Sequence, residues 1–154
     1  MRSHRGFTMI ELLVVIAILG ILLTVAVPSF MDFLTRRRLE GVANELSADL
    51  QYARTQAVSN NAAVSLVTSI HGYTVTGVVS AANVTYKTIT LDSTISLTPS
   101  VTVTIDGYRS MPSAAAAITL TDSQTSAQLE IKADAMGRIQ MCSPGASFGG
   151  YVAC

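Results

Sequence analysis

The sequence predicts an α+β protein in which one long N-terminal helix packs on an antiparallel β-sheet head. Three observations predict this class. An apolar run extends from Leu12 to Val27 and its character persists to Leu34. A pattern of apolar residues with a helical period follows Arg38, and a strand-like alternation begins at Ala63. We therefore expect a helix that spans a membrane in its first half and is amphipathic in its second, followed by a sheet.

The first half of the helix is long and apolar enough to cross a bilayer. Only Gly20 and Thr24 interrupt its central apolar run. A helix from Phe7 to Leu34 would be about 42 Å long at ~1.5 Å per residue, and a bilayer core is about 30 Å thick. Glu11 is the exception in this segment. A carboxylate costs roughly 2.5–3.5 kcal/mol at the bilayer centre and by default indicates a function with a partner charge.

A processing motif begins this segment. Residues 6–11 read Gly-Phe-Thr-Met-Ile-Glu and run directly into the apolar helix. The pattern resembles the class III signal of type IV pilins and type II secretion pseudopilins. The resemblance implies that a prepilin peptidase cuts after Gly6 and methylates the new N-terminal residue, Phe7. It also implies that Glu11 pairs with the N-terminal amine of a neighbouring subunit in a filament.

Two other interpretations of the N-terminus remain open. Arg2, His4 and Arg5 before an apolar run are also typical of an ordinary secretory signal, with residues 24–26 as the cleavage site. An anchor that is never cleaved would have the same composition. Ordinary signals have a shorter apolar region and no acidic residue near its start, which favours the pilin-type motif.

The 154 residues then divide into three parts. Residues 1–6 are the leader peptide, 7–34 the transmembrane or filament-core helix, and 35–154 a periplasmic or extracellular head, long enough for one domain with its own core. Arginines on both sides of the span leave its orientation open, and the resemblance implies that the head lies outside the inner membrane. Removal of the leader leaves 8 basic and 10 acidic residues, a net charge of −2. Any nucleic-acid binding must therefore come from a local cluster.

Helix-breaking residues and an apolar stripe characterise the long helix. Pro28 removes a backbone donor and should kink or loosen the helix. Gly20 and Pro28 also match positions where pilin helices melt in the filament.

Residues 45–61 resemble the minor pilins and pseudopilins of the FimT, FimU and GspH kind. The second half of the helix carries apolar residues three and four apart, which predicts that this face packs on a sheet. The acidic residues, Asp49 included, are expected largely on the opposite face of the helix. The stripe comprises Leu39, Val42, Ala43, Leu46, Leu50, Ala53 and Ala57.

The remainder of the chain has the period of β-strands. Residues 101–105, Val-Thr-Val-Thr-Ile, show the clearest alternation, and Val and Thr suit half-buried pleated surfaces. Turn-forming pairs such as Asp106-Gly107 and Met136-Gly137 separate the segments. We expect seven or eight short antiparallel strands.

Cysteine and histidine usage argues against a metal site or an enzyme. Cys142 and Cys154 are the only cysteines, and an even pair predicts a disulfide in an oxidising compartment. A zinc site would lack ligands, because His71 is the only histidine left after cleavage. No nucleophile motif accompanies it. We expect no metal, no cofactor and no enzymatic activity.

A short basic segment near the C-terminus raises the question of DNA binding. Residues 137–142 resemble the Gly-Arg-x-Arg segment of FimT-like minor pilins, which bind DNA during natural transformation. Arg138 matches the first arginine, whereas Gln140 replaces the second and removes one positive charge. Lys132 and Arg109 are the other candidate contacts for double-stranded DNA.

The sequence thus predicts a structural subunit. The protein would be a minor pilin or pseudopilin, incorporated with other pilins into a type IV pilus that it helps to initiate or cap, with DNA binding as an added role. The alternative is a GspH-like pseudopilin of a type II secretion system that binds no DNA. Its partners would be the prepilin peptidase, other major and minor pilins and the inner membrane. The chain would begin as a single-pass inner-membrane protein with its head in the periplasm.

Overall fold

The computed structural model describes residues 8–146, 148 and 150–154. They form one helix, α1 (Met9–Asn60), eight strands and a short 3-10 turn, Pro144–Ala146. The predicted fold class is confirmed, because a long helix that begins apolar and ends amphipathic is followed by antiparallel sheets. The helix is unbroken through Gly20 and Pro28, so neither residue ends it here. Local melting at these positions in a filament stays a prediction.

The chain divides into two compact units between Leu34 and Thr35. In the first unit, the exposed fraction of the large apolar side chains from Met9 onward runs from 46% at Leu34 to 89% at Met9. By length and composition this helix could cross a membrane. An uncovered apolar helix is unfavourable in water, so these side chains require lipid or neighbouring protein around them.

The second unit has its own core, built on one face of the helix. Its stripe is fully buried at six positions three and four residues apart, because these positions lie on one side of an α-helix. Val42, also predicted for the stripe, is only partly buried. The six positions are Leu39, Ala43, Leu46, Leu50, Ala53 and Ala57.

Two four-stranded antiparallel sheets complete the head, rather than one continuous sheet. The strands are β1 (Val64–Ser69), β2 (Gly72–Val79), β3 (Ala82–Thr90), β4 (Ile95–Thr98), β5 (Thr102–Ile105), β6 (Ala116–Asp122), β7 (Gln128–Ala133) and β8 (Ile139–Cys142). Their orders in the two sheets are β3-β2-β1-β5 and β4-β6-β7-β8. The chain changes sheet between β4, which pairs with β6, and β5, which pairs with β1; Pro99 lies at this junction and has no N–H to continue a ladder.

The alternation seen in the sequence sorts side chains between core and surface. Leu66 is fully buried on β1, whereas its neighbour Ser65 hydrogen-bonds Thr104 across the exposed face of the first sheet. In the second sheet, Leu120 and Leu129 are paired across β6 and β7, and both are fully buried. The outward positions are mainly threonines and other polar residues, as expected for sheets that cover a core on one face only.

Candidate assembly and binding sites

The N-terminus of α1 is closed by a reciprocal pair of hydrogen bonds. The backbone N–H of Glu11 donates to Oγ1 of Thr8 over 3.3 Å, and the N–H of Thr8 donates to Oε2 of Glu11 over 3.5 Å. This is a capping box, and it sets the carboxylate at the positive end of the helix dipole. A role was predicted for Glu11 but not for Thr8, although the Thr-x-x-Glu spacing indicates a capping box. The predicted processing site, Gly6 and Phe7, lies outside the described residues.

A buried polar cluster joins the helix to β2 and β3. The Tyr73 hydroxyl donates to Oδ2 of Asp49 over 2.8 Å, and Nζ of Lys87 lies 2.7 Å from the same oxygen and 3.0 Å from Oε1 of Glu45. Burial, followed by the hydrogen bond to Asp49, raises the pKa of Tyr73 above its ordinary value of 10.0. The hydrogen bond to Asp49 raises the pKa of Lys87 above 10.5. The cluster therefore keeps both protons well into alkaline solution.

The position predicted for Asp49 was wrong. It was expected on the polar side of the helix, but it is only 6% exposed. It lies three residues after Leu46 and four before Ala53, so helical geometry places it inside the apolar stripe. An acidic residue at such a position indicates a buried partner, and that spacing could have revealed the cluster.

A disulfide closes the C-terminal segment. Cys142 and Cys154 are bonded, with 5.0 Å between their Cα atoms. The enclosed segment packs on the helix, because the Tyr151 hydroxyl donates to Oε1 of Glu40 over 2.9 Å. The guanidinium carbon of Arg36 also lies 5.6 Å from the ring centroid of the buried Phe148. The disulfide thereby ties the two ends of the segment together, and the interior residues Phe148 and Tyr151 hold it on α1.

Replacement of Cys154 by serine should destabilise the head. Cys142 and Cys154 are 12 residues apart in sequence. For a loop of this length the chain-entropy model gives a stabilisation of about 3 kcal/mol. Thermal melts of a head fragment starting at Thr35 measure the loss, with the Cys142→Ser/Cys154→Ser double variant as the matched control, since it leaves no lone thiol. Maleimide labelling of the unreduced wild-type head should detect no thiol. Two reactive thiols there would contradict the bridge.

The three residues predicted to contact DNA lie in two places. Lys132 and Arg138 line one open groove of about 350 Å³ together with Gln140. Arg109 is on the loop after β5 and does not line that groove. The structure therefore brings together two of the three.

Both groove cations already have carboxylate partners. Nε of Arg138 lies 3.1 Å from Oδ2 of Asp134, and Nζ of Lys132 lies 3.5 Å from Oε1 of Glu130. The backbone N–H of Arg138, helped by its guanidinium, holds the pKa of Asp134 below its ordinary 3.8. The carboxylate therefore stays charged and offsets much of the positive potential that a phosphate would meet.

The other residues weighed for chemistry have structural contacts. His71 Nδ1 lies 3.3 Å from the Ile95 carbonyl oxygen. The sulfurs of Cys142 and Cys154 lie with a Glu130 oxygen within 4.8 Å of one another, but they are bonded to each other. Thiolate ligands for a metal would require reduction of that bond first.

Family comparisons match nearly the whole chain. Residues 1–27 match the model of the prokaryotic N-terminal methylation motif. Residues 42–147 match the model of type II transport protein GspH. The first match covers the processing motif and most of the apolar helix, and the second covers most of the amphipathic helix and both sheets.

Individual relatives match part of this chain. The type IV major alpha-pilin of Moraxella bovis is 44% identical over 48 residues, 31% of this chain and 30% of that protein. Fimbrial protein EcpC of Eikenella corrodens is 35% identical over 93 residues, 56% of this chain and 61% of that protein. The chain thus spans less than two thirds of the length of these relatives.

One solved structure shares the fold. The crystal structure of the type IV minor pilin FimU of Pseudomonas aeruginosa superposes with a TM-score of 0.58 at 22% identity. The match covers 77% of this chain and 98% of that chain. The two chains therefore share the fold over most of their lengths.

Proposed function

The chain belongs to the family of type II transport protein GspH, among the pilins and pseudopilins, and we propose that it is a structural subunit of a cell-envelope filament rather than an enzyme. This proposal rests on one observation: the methylation motif leads directly into an apolar helix whose side chains are exposed. Every large apolar side chain from Met9 to Leu34 is at least 46% exposed in the isolated subunit. Lipid would cover this surface before assembly, and neighbouring helices would cover it in a filament.

Maturation would proceed at the cytoplasmic face of the inner membrane. A prepilin peptidase would remove residues 1–6 and methylate Phe7, leaving residues 7–34 as a single-pass anchor with the head in the periplasm. Glu11 would then pair with the N-terminal amine of the next subunit, because both charges are costly in hydrocarbon and neutralise each other when they meet.

Replacement of Gly6 by a bulky charged residue should abolish processing. Gly6 is small enough for a protease to approach its backbone, and a side chain such as that of arginine would block the approach. Intact-mass measurement of the membrane-extracted protein is the test. We expect a wild-type chain that begins with methylated Phe7 and a Gly6→Arg chain that keeps its leader, whereas Ser3→Arg, which leaves the junction intact, should be processed normally. A mature wild-type chain beginning elsewhere would exclude the pilin-type signal.

Within the family, we propose a minor pilin that joins a type IV pilus and helps to initiate or cap it. The likeness of fold to the crystallised chain of the minor pilin FimU, 98% of which is matched, supports this choice. The alternative is a pseudopilin of a type II secretion system, which the GspH match of the head supports. The filament from which the mature chain is recovered distinguishes the two.

DNA binding by the C-terminal region is a second candidate function. Its support is the shared groove of Arg138 and Lys132, which could contact consecutive phosphates of double-stranded DNA. Asp134 and Glu130 beside these cations oppose such binding, so we expect weak, salt-sensitive and sequence-independent affinity at most.

A further inference from the structure

Two cysteines and a glutamate share one small volume on the second sheet. Cys142 on β8 lies directly opposite Glu130 on β7, so both side chains extend from the same face of the sheet. Cys154 reaches that face because it is bonded to Cys142. One oxygen of Glu130 and the two sulfurs therefore lie within 4.8 Å of one another. Three atoms of the kinds that ligate metals are thus brought to one place.

The three side chains are sheltered to different degrees. Cys142 is 6% exposed and the side chain of Glu130 is 17% exposed, whereas Cys154 is an exposed residue. A reductant or an ion therefore reaches the group from the side of Cys154.

Hydrogen bonds independent of the disulfide keep Cys154 beside β8. The residue that follows β8 is Ser143, whose N–H donates to the Val152 carbonyl over 2.8 Å. The carbonyl of Ser143 accepts from the N–H of Cys154 over 3.3 Å. Nζ of Lys132 also donates to the Cys154 carbonyl over 3.4 Å. Because none of these contacts needs the S–S bond, the two sulfurs should stay close together after its reduction.

We propose that reduction of the Cys142–Cys154 bond converts this group into a Zn²⁺ site, ligated by the two thiolates and the Glu130 carboxylate. Thiolates favour Zn²⁺ over harder divalent ions, and three protein ligands leave the fourth tetrahedral position to water. Ligand atoms of such a site lie about 3.5–3.8 Å apart. Once the bond is broken, side-chain rotation separates the sulfurs and brings the carboxylate to this distance. The inference does not depend on the proposed function, since it concerns the head alone.

The reduction and the metal binding balance in two steps. The thiolate of a dithiol reductant attacks Sγ of Cys154 and displaces Cys142, which takes up a proton. The second thiol of the reductant then resolves the mixed disulfide, and the reductant leaves as a disulfide. The head thereby gains two electrons and two protons. Zn²⁺ displaces these two protons when it binds, because only the thiolates are ligands.

The charges of the reduced group favour a divalent cation. Two thiolates and Glu130 carry three negative charges, and Lys132, whose Nζ lies 3.5 Å from Oε1 of Glu130, offsets one of them. Zn²⁺ neutralises the remaining two. The side chain of Lys132 is 41% exposed, so its ammonium can turn to water when the metal takes its partner. The sequence indicated too few ligands because it does not show the strand pairing that brings Glu130 to Cys142.

Zinc titration of the detergent-solubilised full chain tests the inference. A phosphine reductant is used, because a dithiol would itself compete for the metal. Calorimetry in buffers of different ionisation enthalpy measures the stoichiometry and the protons released. We expect one Zn²⁺ per reduced chain, with release of about two protons near neutral pH, and no binding to the oxidised chain. Co²⁺ in place of Zn²⁺ should give thiolate-to-metal charge-transfer absorption in the reduced chain.

Matched variants separate a three-ligand site from binding by two thiols. Glu130→Gln should weaken Zn²⁺ binding about tenfold or more, since even the outer partners of metal ligands contribute roughly 10–100-fold. Glu45→Gln also takes a carboxylate from a lysine, but on α1, and should leave the affinity unchanged. The Cys142→Ser/Cys154→Ser chain retains both histidines and should not bind with comparable affinity. Equal affinities of the wild type and Glu130→Gln would overturn the inference.

Thermal melts exclude binding by an unfolded reduced chain. A metal that binds the folded arrangement should raise the melting temperature of the reduced wild type, and raise that of reduced Glu130→Gln less. If Zn²⁺ left the reduced wild type no more stable, or if the chain bound it equally well in denaturing urea, the fold would not arrange the ligands and the inference would fail. Neither result would bear on filament assembly, so the proposed function would stand.

Discussion

Replacement of Glu11 by valine is expected to leave the protein in the membrane and to keep it out of filaments. The carboxylate lies at the start of a helix that carries no other charged residue before Asp32. Its removal lowers the cost of placing the helix in lipid, so insertion should be at least as efficient as in the wild type. Assembly should fall severely, because the neighbour's amine would remain in hydrocarbon without its counter-charge. Immunoblots of sheared filaments and of membranes measure the two quantities.

Two matched variants separate the charge from other effects of the change. Asp32→Val removes the other carboxylate of the first unit without touching the N-terminus and should assemble nearly as well as the wild type. Thr8→Val removes the hydroxyl that accepts the Glu11 N–H over 3.3 Å but keeps the carboxylate. If Thr8→Val were as defective as Glu11→Val, the capping box would explain the loss of assembly. Normal incorporation of Glu11→Val would refute the role proposed for the charge.

The secondary structure of this chain could be predicted largely from the sequence, because its periodicities are clear. The buried stripe from Leu39 to Ala57 follows spacings that only a helix satisfies. The alternation in β5 and in β7 predicts which side chains face the core. The division into two sheets could not be predicted, since it depends on β5 pairing with β1 rather than continuing from β4, and alternation carries no information about pairing partners.

Contacts between segments far apart in sequence were the second feature that could not be predicted from the sequence. Tyr73 and Lys87 are 24 and 38 residues from Asp49 in sequence, and nothing local marks them as its partners. Asp134 is only four residues from Arg138, but the sequence does not show that its carboxylate accepts from both the backbone N–H and the guanidinium of that arginine, which weakens the case for Arg138 as a phosphate contact. Sequence reasoning identified the candidate cations and the acidic residues flanking Lys132, but which carboxylate each cation contacts required the fold.

Replacement of Asp49 by alanine should cause a large loss of stability in the head. The side chain of Asp49 is 9% exposed and holds two partners. Its removal leaves the Tyr73 hydroxyl buried without an acceptor and takes one of two carboxylates from Lys87. An unsatisfied buried hydroxyl costs about 1–3 kcal/mol, and breaking a buried ion pair about 3–5 kcal/mol. Because Lys87 keeps Glu45 and some water, we expect a total near the lower values, about 3 kcal/mol.

Thermal melts of the head fragment check this loss and its origin. A change of about 3 kcal/mol corresponds to about 10–15 °C for a domain of this size. Glu45→Ala is the matched control, because Glu45 binds the same lysine over 3.0 Å but its side chain is 44% exposed, and an exposed pair contributes less than about 1 kcal/mol. Tyr73→Phe removes only the hydroxyl and should cost about 1 kcal/mol. Equal effects of Asp49→Ala and Glu45→Ala would show that burial is not the cause.

The same cluster should make the head sensitive to alkali. The pKa values of Tyr73 and Lys87 are raised above their ordinary 10.0 and 10.5, so the folded head keeps two protons that the unfolded chain releases. Linkage then requires the contribution of the cluster to be complete below about pH 10 and to decline as the pH rises further. Melts between about pH 8 and 11 should show a steeper decline for the wild type than for Asp49→Ala, which has lost the acceptor that both groups share. Only the wild type retains the Asp49 carboxylate that both groups share. If stability declined with pH equally in the two proteins, the alkaline instability would therefore arise elsewhere in the head.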